Sequence, residues 1–197
     1  MGTVEAWIPN QFFTDITEEY RADRIRVIFL DVDGVLNCSS TTEVVCGFTG
    51  VGDKKIRVLK DIVVQSSEIA DTKIVLSSMW RTGVNRTGIR SPKMYDYLSD
   101  RLNEHGLSIF GTTPFIRSRE KSRGEEIASW LISHIELNVS GYLILDDELF
   151  PDFNSYGLRA HLLKTSWDGD DGGLQEKHIQ MALDILKIPV SSGRKES

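Results

Sequence analysis

Three short apolar runs, each ending in small polar or acidic residues, are the feature that most constrains the fold of this chain. In order, the runs and the residues that end them are Val27–Leu30 with Asp31, Ile74–Leu76 with Ser77-Ser78, and Tyr142–Leu145 with Asp146-Asp147. Uninterrupted apolar runs of this length are typical of strands buried on both faces of a parallel sheet. Because ligands bind beyond the carboxyl ends of such strands, we expect the polar ends to form one site.

Helical patterns separate these runs, and no tight hairpin signal joins neighbouring strands. We expect helices over Lys54–Ile69 (capped by Asp53), Ser91–His105, Ser122–Ile135 and Leu174–Leu186, and shorter strands over Leu107–Phe110 and Ala160–Leu163. This alternation predicts an α/β fold, three-layer and Rossmann-like, with a central parallel sheet. The expected organisation is an N-terminal extension over residues 1–24, one α/β domain over 25–188 and a flexible tail over 189–197.

Charge and apolar patterning exclude several classes of protein. The net charge is −6, so the chain has no overall attraction to nucleic acids or anionic membranes. No apolar run reaches the roughly 18 residues of a membrane span, and the N-terminus does not resemble a secretion signal. We therefore expect a cytoplasmic protein without membrane contact, although a translocated effector is compatible. Two cysteines, Cys38 and Cys46, are too few for a disulfide framework or a zinc cage.

The segment Asp31-Val32-Asp33-Gly34 places two carboxylates at the end of the first predicted strand. An aspartate carboxylate can attack phosphorus, and a divalent cation such as Mg²⁺ reduces the repulsion between the two anions. A second acid can protonate the leaving oxygen and then activate water. We therefore interpret Asp31 as a nucleophile and Asp33 as a general acid and base. The alternative is a solvated acidic turn.

The segment Val27–Leu36, VIFLDVDGVL, resembles motif I of the haloacid dehalogenase (HAD) superfamily of aspartyl-phosphate phosphatases. The resemblance implies three further motifs, and IVLSSMWR, EKSRGEEIASWL and YLILDDE match them in order. It implies a phosphate-binding hydroxyl at Ser77 or Ser78, with Ser77 preferred. It also implies a phosphate-binding cation at Lys121 or Arg123, with Arg123 preferred.

The same resemblance implies a Mg²⁺ site. The residues that it assigns to the metal are Asp31, Asp33 (through its backbone carbonyl), Asp146 and Asp147, the last either as a ligand or as an orienting partner. More narrowly, the chain is similar to the HAD-like domains of Swiss-army-knife RNA repair proteins. The matching segments are LSSMWR, RGEEIASWL, LILDDE and GGLQEKHIQMALDIL.

The spacing of the motifs leaves minimal or no room for a cap domain. Only 43 residues lie between Asp33 and Ser77. The first predicted helix takes up many of them, and the segment before it, Val35–Gly52, has the size of a flap. Uncapped enzymes of the superfamily often act on macromolecules, so we expect a Mg²⁺-dependent phosphomonoesterase with a macromolecular substrate. The acidic charge favours a phosphoprotein, with phosphotyrosine as a candidate, over a nucleic-acid end. A small-metabolite phosphatase and a non-catalytic phospho-binding module are the alternatives.

Aromatic and basic residues near the predicted site allow two interpretations each. Phe48, Trp80 and Trp167 either stack on a phosphotyrosine ring or a base, or pack in the core or flap. Basic residues between the second and third motifs, Arg81 among them, either guide an anionic partner or form a solvated loop. A phosphoacceptor receiver domain is disfavoured, because its acceptor aspartate follows the third strand, which here ends at Phe110-Gly111.

Overall fold

The structure is a computed structural model that describes residues 24–45, 47–82, 93–116 and 122–190. The expected N-terminal extension (except its last residue), most of the expected flexible tail, Cys46 and Lys121 lie outside these ranges. Within the described ranges, no helix combines the length and apolar character needed to cross a membrane.

Seven strands and four α-helices occur in the described part of the chain. The strands are β1 (Ile25–Leu30), β2 (Val44–Val45), β3 (Phe48–Thr49), β4 (Asp71–Leu76), β5 (Ile109–Thr112), β6 (Val139–Asp146) and β7 (Leu162–Lys164). The helices are α1 (Asp53–Ser67), α2 (Lys93–Glu104), α3 (Arg123–Ser133) and α4 (His178–Ile185). Five parallel strands form the main sheet in the order β5-β4-β1-β6-β7, and β2 pairs with β3 in a separate antiparallel hairpin.

Strand β1 lies at the centre of the sheet and is buried on both faces. Ile28 and Leu30 pack into a core shared with helices α1, α2 and α4, whereas Val27 and Phe29 pack into a second core shared with α3. Successive side chains on a strand point to opposite faces, so an uninterrupted apolar run is what two-sided burial requires. The predicted three-layer α/β fold is confirmed.

The chain order around β1 creates the crevice that positions the site. After β1 the chain moves outward to β4 and β5, and it then returns across the sheet to place β6 on the other side of β1. Connections from the carboxyl ends of neighbouring strands diverge at such a switch point, and ligands bind there in open α/β sheets. Asp31 follows β1 directly, and Asp146 ends β6.

The predicted helix boundaries differ from the observed ones for local reasons. Helix α1 has Gly52 at its N-cap, so the expectation that Asp53 caps this helix is wrong. The Asp53 carboxylate instead accepts hydrogen bonds from Arg57 and Arg101. Helix α4 begins four residues later than expected, because the Leu174 N–H donates to the carbonyl oxygen of Val35 at 2.8 Å and ties the preceding segment to another loop.

The segment after β1 folds into a small flap. Strands β2 and β3 (residues 44–45 and 48–49) form what we call the flap hairpin, which the sequence pattern did not predict. Phe48 of this hairpin is buried against Trp80 and Tyr97. Among the described residues, the flap hairpin is the only sheet outside the main one, in agreement with the expectation of a minimal cap.

Candidate active site

The strand-end residues predicted from the sequence meet at the carboxyl edge of the sheet. The backbone pairing continues one residue past the strands, because the Asp31 N–H donates to the Leu145 carbonyl oxygen at 2.9 Å and the Ser77 N–H donates to the Leu30 carbonyl oxygen at 2.9 Å. Asp31 and Ser77 are therefore adjacent, and continuing the β1–β6 register places Asp146 on the other side of Asp31.

All three side chains lie on the sheet face that helix α3 covers. Two residues earlier on each strand, Phe29, Val75 and Ile144 share one core cluster with Trp130 of α3. Residues two apart on a strand point to the same face. The first residue of α3, Arg123, therefore begins above the row of strand-end residues.

Arg123 connects the three strand ends through its guanidinium. Its Nη2 lies 3.5 Å from Asp31 Oδ1, its Nη1 lies 3.6 Å from Asp146 Oδ2, and Nη1 also donates to the Ser77 carbonyl oxygen. Burial alone would lower the pKa of Arg123, but the facing carboxylates outweigh burial and raise it. The site therefore holds a permanent cation between two acidic residues.

Three aspartates form a compact acidic group at this edge. One carboxylate oxygen from each of Asp31, Asp146 and Asp147 lies within 4.8 Å of the others. Burial, followed by the neighbouring charge of Asp31, raises the pKa of Asp146 to about 8. Oδ2 of Asp146 is buried and has no hydrogen-bond partner. This donor set suits a hard cation such as Mg²⁺, which prefers carboxylate oxygens.

The side chain of Asp33 does not belong to that acidic group. Its Oδ1 accepts a hydrogen bond from Asn37 Nδ2 at 3.1 Å, and its Oδ2 accepts one from the indole N–H of Trp80 at 3.1 Å. The Asp33 side chain is partly exposed, whereas Asp31 is buried. The two acids of the Asp-Val-Asp-Gly segment therefore occupy different environments.

Gly34 is required by the local backbone and by its neighbour. Its φ of +78° lies in the left-handed region, where a side chain is disfavoured. A Cβ at this position would lie 2.4 Å from the Asp147 carboxylate. Its carbonyl oxygen accepts a hydrogen bond from the Thr165 hydroxyl at 2.6 Å, and its N–H donates to Asn37 Oδ1 at 3.1 Å. Gly34 therefore allows the chain to turn sharply directly after the acidic pair.

The environments of Ser77 and Ser78 differ in one decisive respect. The Ser77 Oγ is buried and has no hydrogen-bond partner. The Ser78 Oγ accepts a weak hydrogen bond from the backbone N–H of Trp80 at 3.4 Å and so caps the turn that follows β4. A buried hydroxyl without a partner is costly unless a ligand satisfies it, so Ser77 is the one available to a ligand.

Arg81 is a structural residue rather than part of an exposed basic loop. Its Nη2 lies 2.6 Å from Glu126 Oε2, and both side chains are almost fully buried. Its Nη1 donates to the carbonyl oxygens of Ser77 and Ser78 at 2.9 and 2.6 Å. The interpretation that Arg81 guides an anionic partner is therefore wrong. Lys121, the alternative phosphate-binding cation, lies outside the described residues.

The aromatic residues near the site also divide into two groups. Trp80 is 0% exposed and Phe48 is 6% exposed, and their rings pack edge to face with centroids 4.8 Å apart. Neither ring is available to stack on a substrate, so for these two the packing interpretation is correct. Trp167 is partly exposed.

Sequence reasoning missed the residues that support Asp33. Asn37 follows Asp33 by four residues, a spacing that could have indicated a contact within the same turn. The indole N–H of Trp80 reaches Asp33 from 47 positions away, and no local pattern reports such a contact. The pairing of Arg81 with Glu126 across 45 positions was missed for the same reason.

Comparisons of the chain with known proteins agree with the geometry of the site. The family described as the HAD domain in Swiss Army Knife RNA repair proteins matches residues 27–179. No curated protein and no solved structure matched the chain. The matched segment includes every strand of the main sheet except the first two residues of β1, and it includes every residue of the site described above. The chain therefore belongs to this family of HAD domains, which points to a phosphatase-type hydrolase.

Proposed function

We propose that this protein is a Mg²⁺-dependent phosphomonoesterase that works through a phosphoaspartate. The observation that carries the proposal is the meeting of three groups at one sheet edge. These are the carboxylate of Asp31, the unpartnered buried hydroxyl of Ser77 and the guanidinium of Arg123. Together they offer a nucleophile and two groups that can hold the oxygens of a phosphate.

Two chemical steps follow from these assignments. In the first, an oxygen of Asp31 bonds to phosphorus while the bond from phosphorus to the ester oxygen breaks, and Asp33 gives its proton to that leaving oxygen. In the second, the Asp33 carboxylate takes a proton from water as the water oxygen bonds to phosphorus. The acyl-phosphate bond breaks, inorganic phosphate leaves, and the carboxylate of Asp31 is restored.

Ser77 and Arg123 hold the phosphate during both steps. The Ser77 hydroxyl donates to a phosphate oxygen, which satisfies its unpaired hydrogen-bonding capacity. Arg123 keeps its charge at any working pH and can bind two phosphate oxygens at once. Its position beside Asp31 compensates the negative charge that accumulates when a phosphate approaches this carboxylate.

Mg²⁺ would be held by Asp31, Asp146 and Asp147. The buried Oδ2 of Asp146, which accepts no hydrogen bond, supports this assignment. The backbone carbonyl of Asp33 is the further ligand that the family resemblance implies, whereas the Asp33 side chain is held elsewhere. When bound, the ion reduces the repulsion between the Asp31 carboxylate and a phosphate dianion.

For the substrate, we infer a phosphate at an RNA end. The description of the matching family, RNA repair, supports this class, and the small flap leaves the described part of the site without a folded cap. The net charge of −6 is the opposing argument, and it favours a phosphoprotein. A phosphotyrosine peptide is therefore the comparison substrate in the test.

The test measures hydrolysis of p-nitrophenyl phosphate with Mg²⁺, with EDTA and with Asp31→Asn. We expect turnover that needs the metal and is lost in Asp31→Asn, whereas Asp61→Asn, on an exposed part of α1, retains it. Turnover that survives Asp31→Asn would contradict the mechanism. A 5′- or 3′-phosphorylated RNA oligonucleotide should then be dephosphorylated faster than the peptide, and the reverse order would assign the site to phosphoproteins.

A further inference from the structure

We propose that Trp80 is a positioning residue that aims the carboxyl group of Asp33 at the leaving oxygen. This inference rests on the proposed function, and it concerns a residue to which the motif resemblance assigns no role. Its basis is the hydrogen bond from the indole Nε1–H of Trp80 to Asp33 Oδ2 at 3.1 Å. Trp80 itself is 0% exposed.

The carboxyl group of Asp33 needs such support because of its place in the chain. Asp33 lies in the turn directly after β1 and is partly exposed, so the sheet does not restrict its side chain. Asn37 holds one carboxyl oxygen and Trp80 holds the other. The two donors together select a single orientation of the group.

The indole ring is in turn fixed by its neighbours. Phe48 of the flap hairpin packs edge to face on the indole, with ring centroids 4.8 Å apart. The centroid of the Tyr97 ring lies 6.3 Å from that of Trp80. The Tyr97 hydroxyl donates to Glu43 Oε1 at 3.1 Å and accepts a hydrogen bond from the Val51 N–H at 3.2 Å. Trp80 therefore cannot rotate away from Asp33 unless the flap hairpin also moves.

The test uses Trp80→Phe, which keeps a buried ring and removes only the indole N–H and the second ring. The two substrates are p-nitrophenyl phosphate and phenyl phosphate, which differ by one nitro group. Phenolate is the poorer leaving group, because phenol has a pKa of about 10, close to that of a tyrosine side chain. Its departure therefore depends more strongly on the proton from Asp33. The measured quantity is kcat/KM, which includes the steps up to formation of the phosphoaspartate.

We expect Trp80→Phe to lower kcat/KM on phenyl phosphate by about tenfold or more, in line with the contribution of a positioned general acid. On p-nitrophenyl phosphate we expect a decrease of less than about threefold, since that leaving group needs little protonation. The ratio of the two values is measured in one preparation, so it does not depend on the fraction of the variant that folds.

Trp130→Phe is the matched control, because it makes the same substitution at another buried tryptophan, 2% exposed, which packs in the core under helix α3 and not against Asp33. We expect this control to leave the substrate ratio unchanged. An unchanged ratio in Trp80→Phe, with wild-type turnover intact, would overturn the role of Trp80 and leave the proposed function in place. No turnover of either substrate by the wild-type protein with Mg²⁺ would overturn both.

Discussion

The ion pair between Arg81 and Glu126 holds the end of β4 against helix α3. The Arg81 side chain is 4% exposed and the Glu126 side chain is 7% exposed. Besides this pair, Arg81 donates to the carbonyl oxygens of Ser77 and Ser78, and Glu126 accepts the backbone N–H of Ile116 at 3.1 Å. Replacing Arg81 by methionine keeps much of the side-chain volume and leaves an unpaired carboxylate inside the protein.

The magnitude follows from that uncompensated charge. Removing one partner of a buried ion pair costs about 3–5 kcal/mol, because the other charge remains buried without its counter-ion. The carbonyl oxygens that lose their donor keep Arg123 or the local backbone as neighbours, so we add nothing for them. We expect Arg81→Met to lower the free energy of unfolding by about 3–5 kcal/mol. The double variant Arg81→Met/Glu126→Leu should recover part of this loss, because it removes the stranded carboxylate.

The assay is urea unfolding of the four members of the double-mutant cycle, followed by circular dichroism. The coupling free energy between the two positions should exceed about 0.5 kcal/mol, because the stability effects of independent sites add to within about that value. Arg57→Met is the matched control, because Arg57 pairs with Asp53 on the surface, with 67% and 49% of the side chains exposed. An exposed ion pair contributes only about 0.2–1 kcal/mol to the free energy of unfolding. A loss in Arg81→Met no larger than in Arg57→Met would refute the reasoning.

Three further predictions concern the site itself. Gly34→Ala should lower the Mg²⁺ affinity measured by calorimetry by about tenfold, because its Cβ overlaps the Asp147 carboxylate. Gly157→Ala, at a similar φ of +67° with open space around it, should carry only the backbone strain and bind Mg²⁺ normally. Burial raises the pKa of Asp146 from 3.8 to about 8. Between these two pH values, Asp146 is protonated in the metal-free folded state and ionised in the unfolded state. This group's contribution to stability therefore falls as pH rises through that window. The increase in Tm caused by Mg²⁺ should then be larger above about pH 8 than near pH 6, and equal increases would contradict the assignment. Ser77→Ala should lower kcat/KM by about tenfold or more with Tm unchanged, because its hydroxyl has no partner to lose; a drop in Tm would argue for a structural role.

The central sheet and the acidic edge of the site could be predicted from sequence because both depend on short-range patterns. An apolar run such as Val27–Leu30 needs burial on both faces, and parallel strands bring their carboxyl ends together whatever connects them. Asp31, Ser77 and Asp146 therefore follow from three strands read separately. The interpretation of Asp53 as a cap failed, because Arg101 and His105, about fifty residues away, bind its carboxylate.

The finer assignments depended on contacts that only the folded chain creates. The sequence favours Ser77 over Ser78, but only the fold shows how their hydroxyls differ. The Ser77 hydroxyl is buried without a hydrogen-bond partner, whereas the Ser78 hydroxyl caps a turn. The sequence offers Trp80 as a ring that could stack on a substrate and Arg81 as a cation that could guide an anionic partner. Their polar atoms instead find Asp33 and Glu126 across more than forty positions. Sequence alone was sufficient for the strands of the main sheet and for the position of Asp31 at its edge, whereas long-range packing determined which side chains support them.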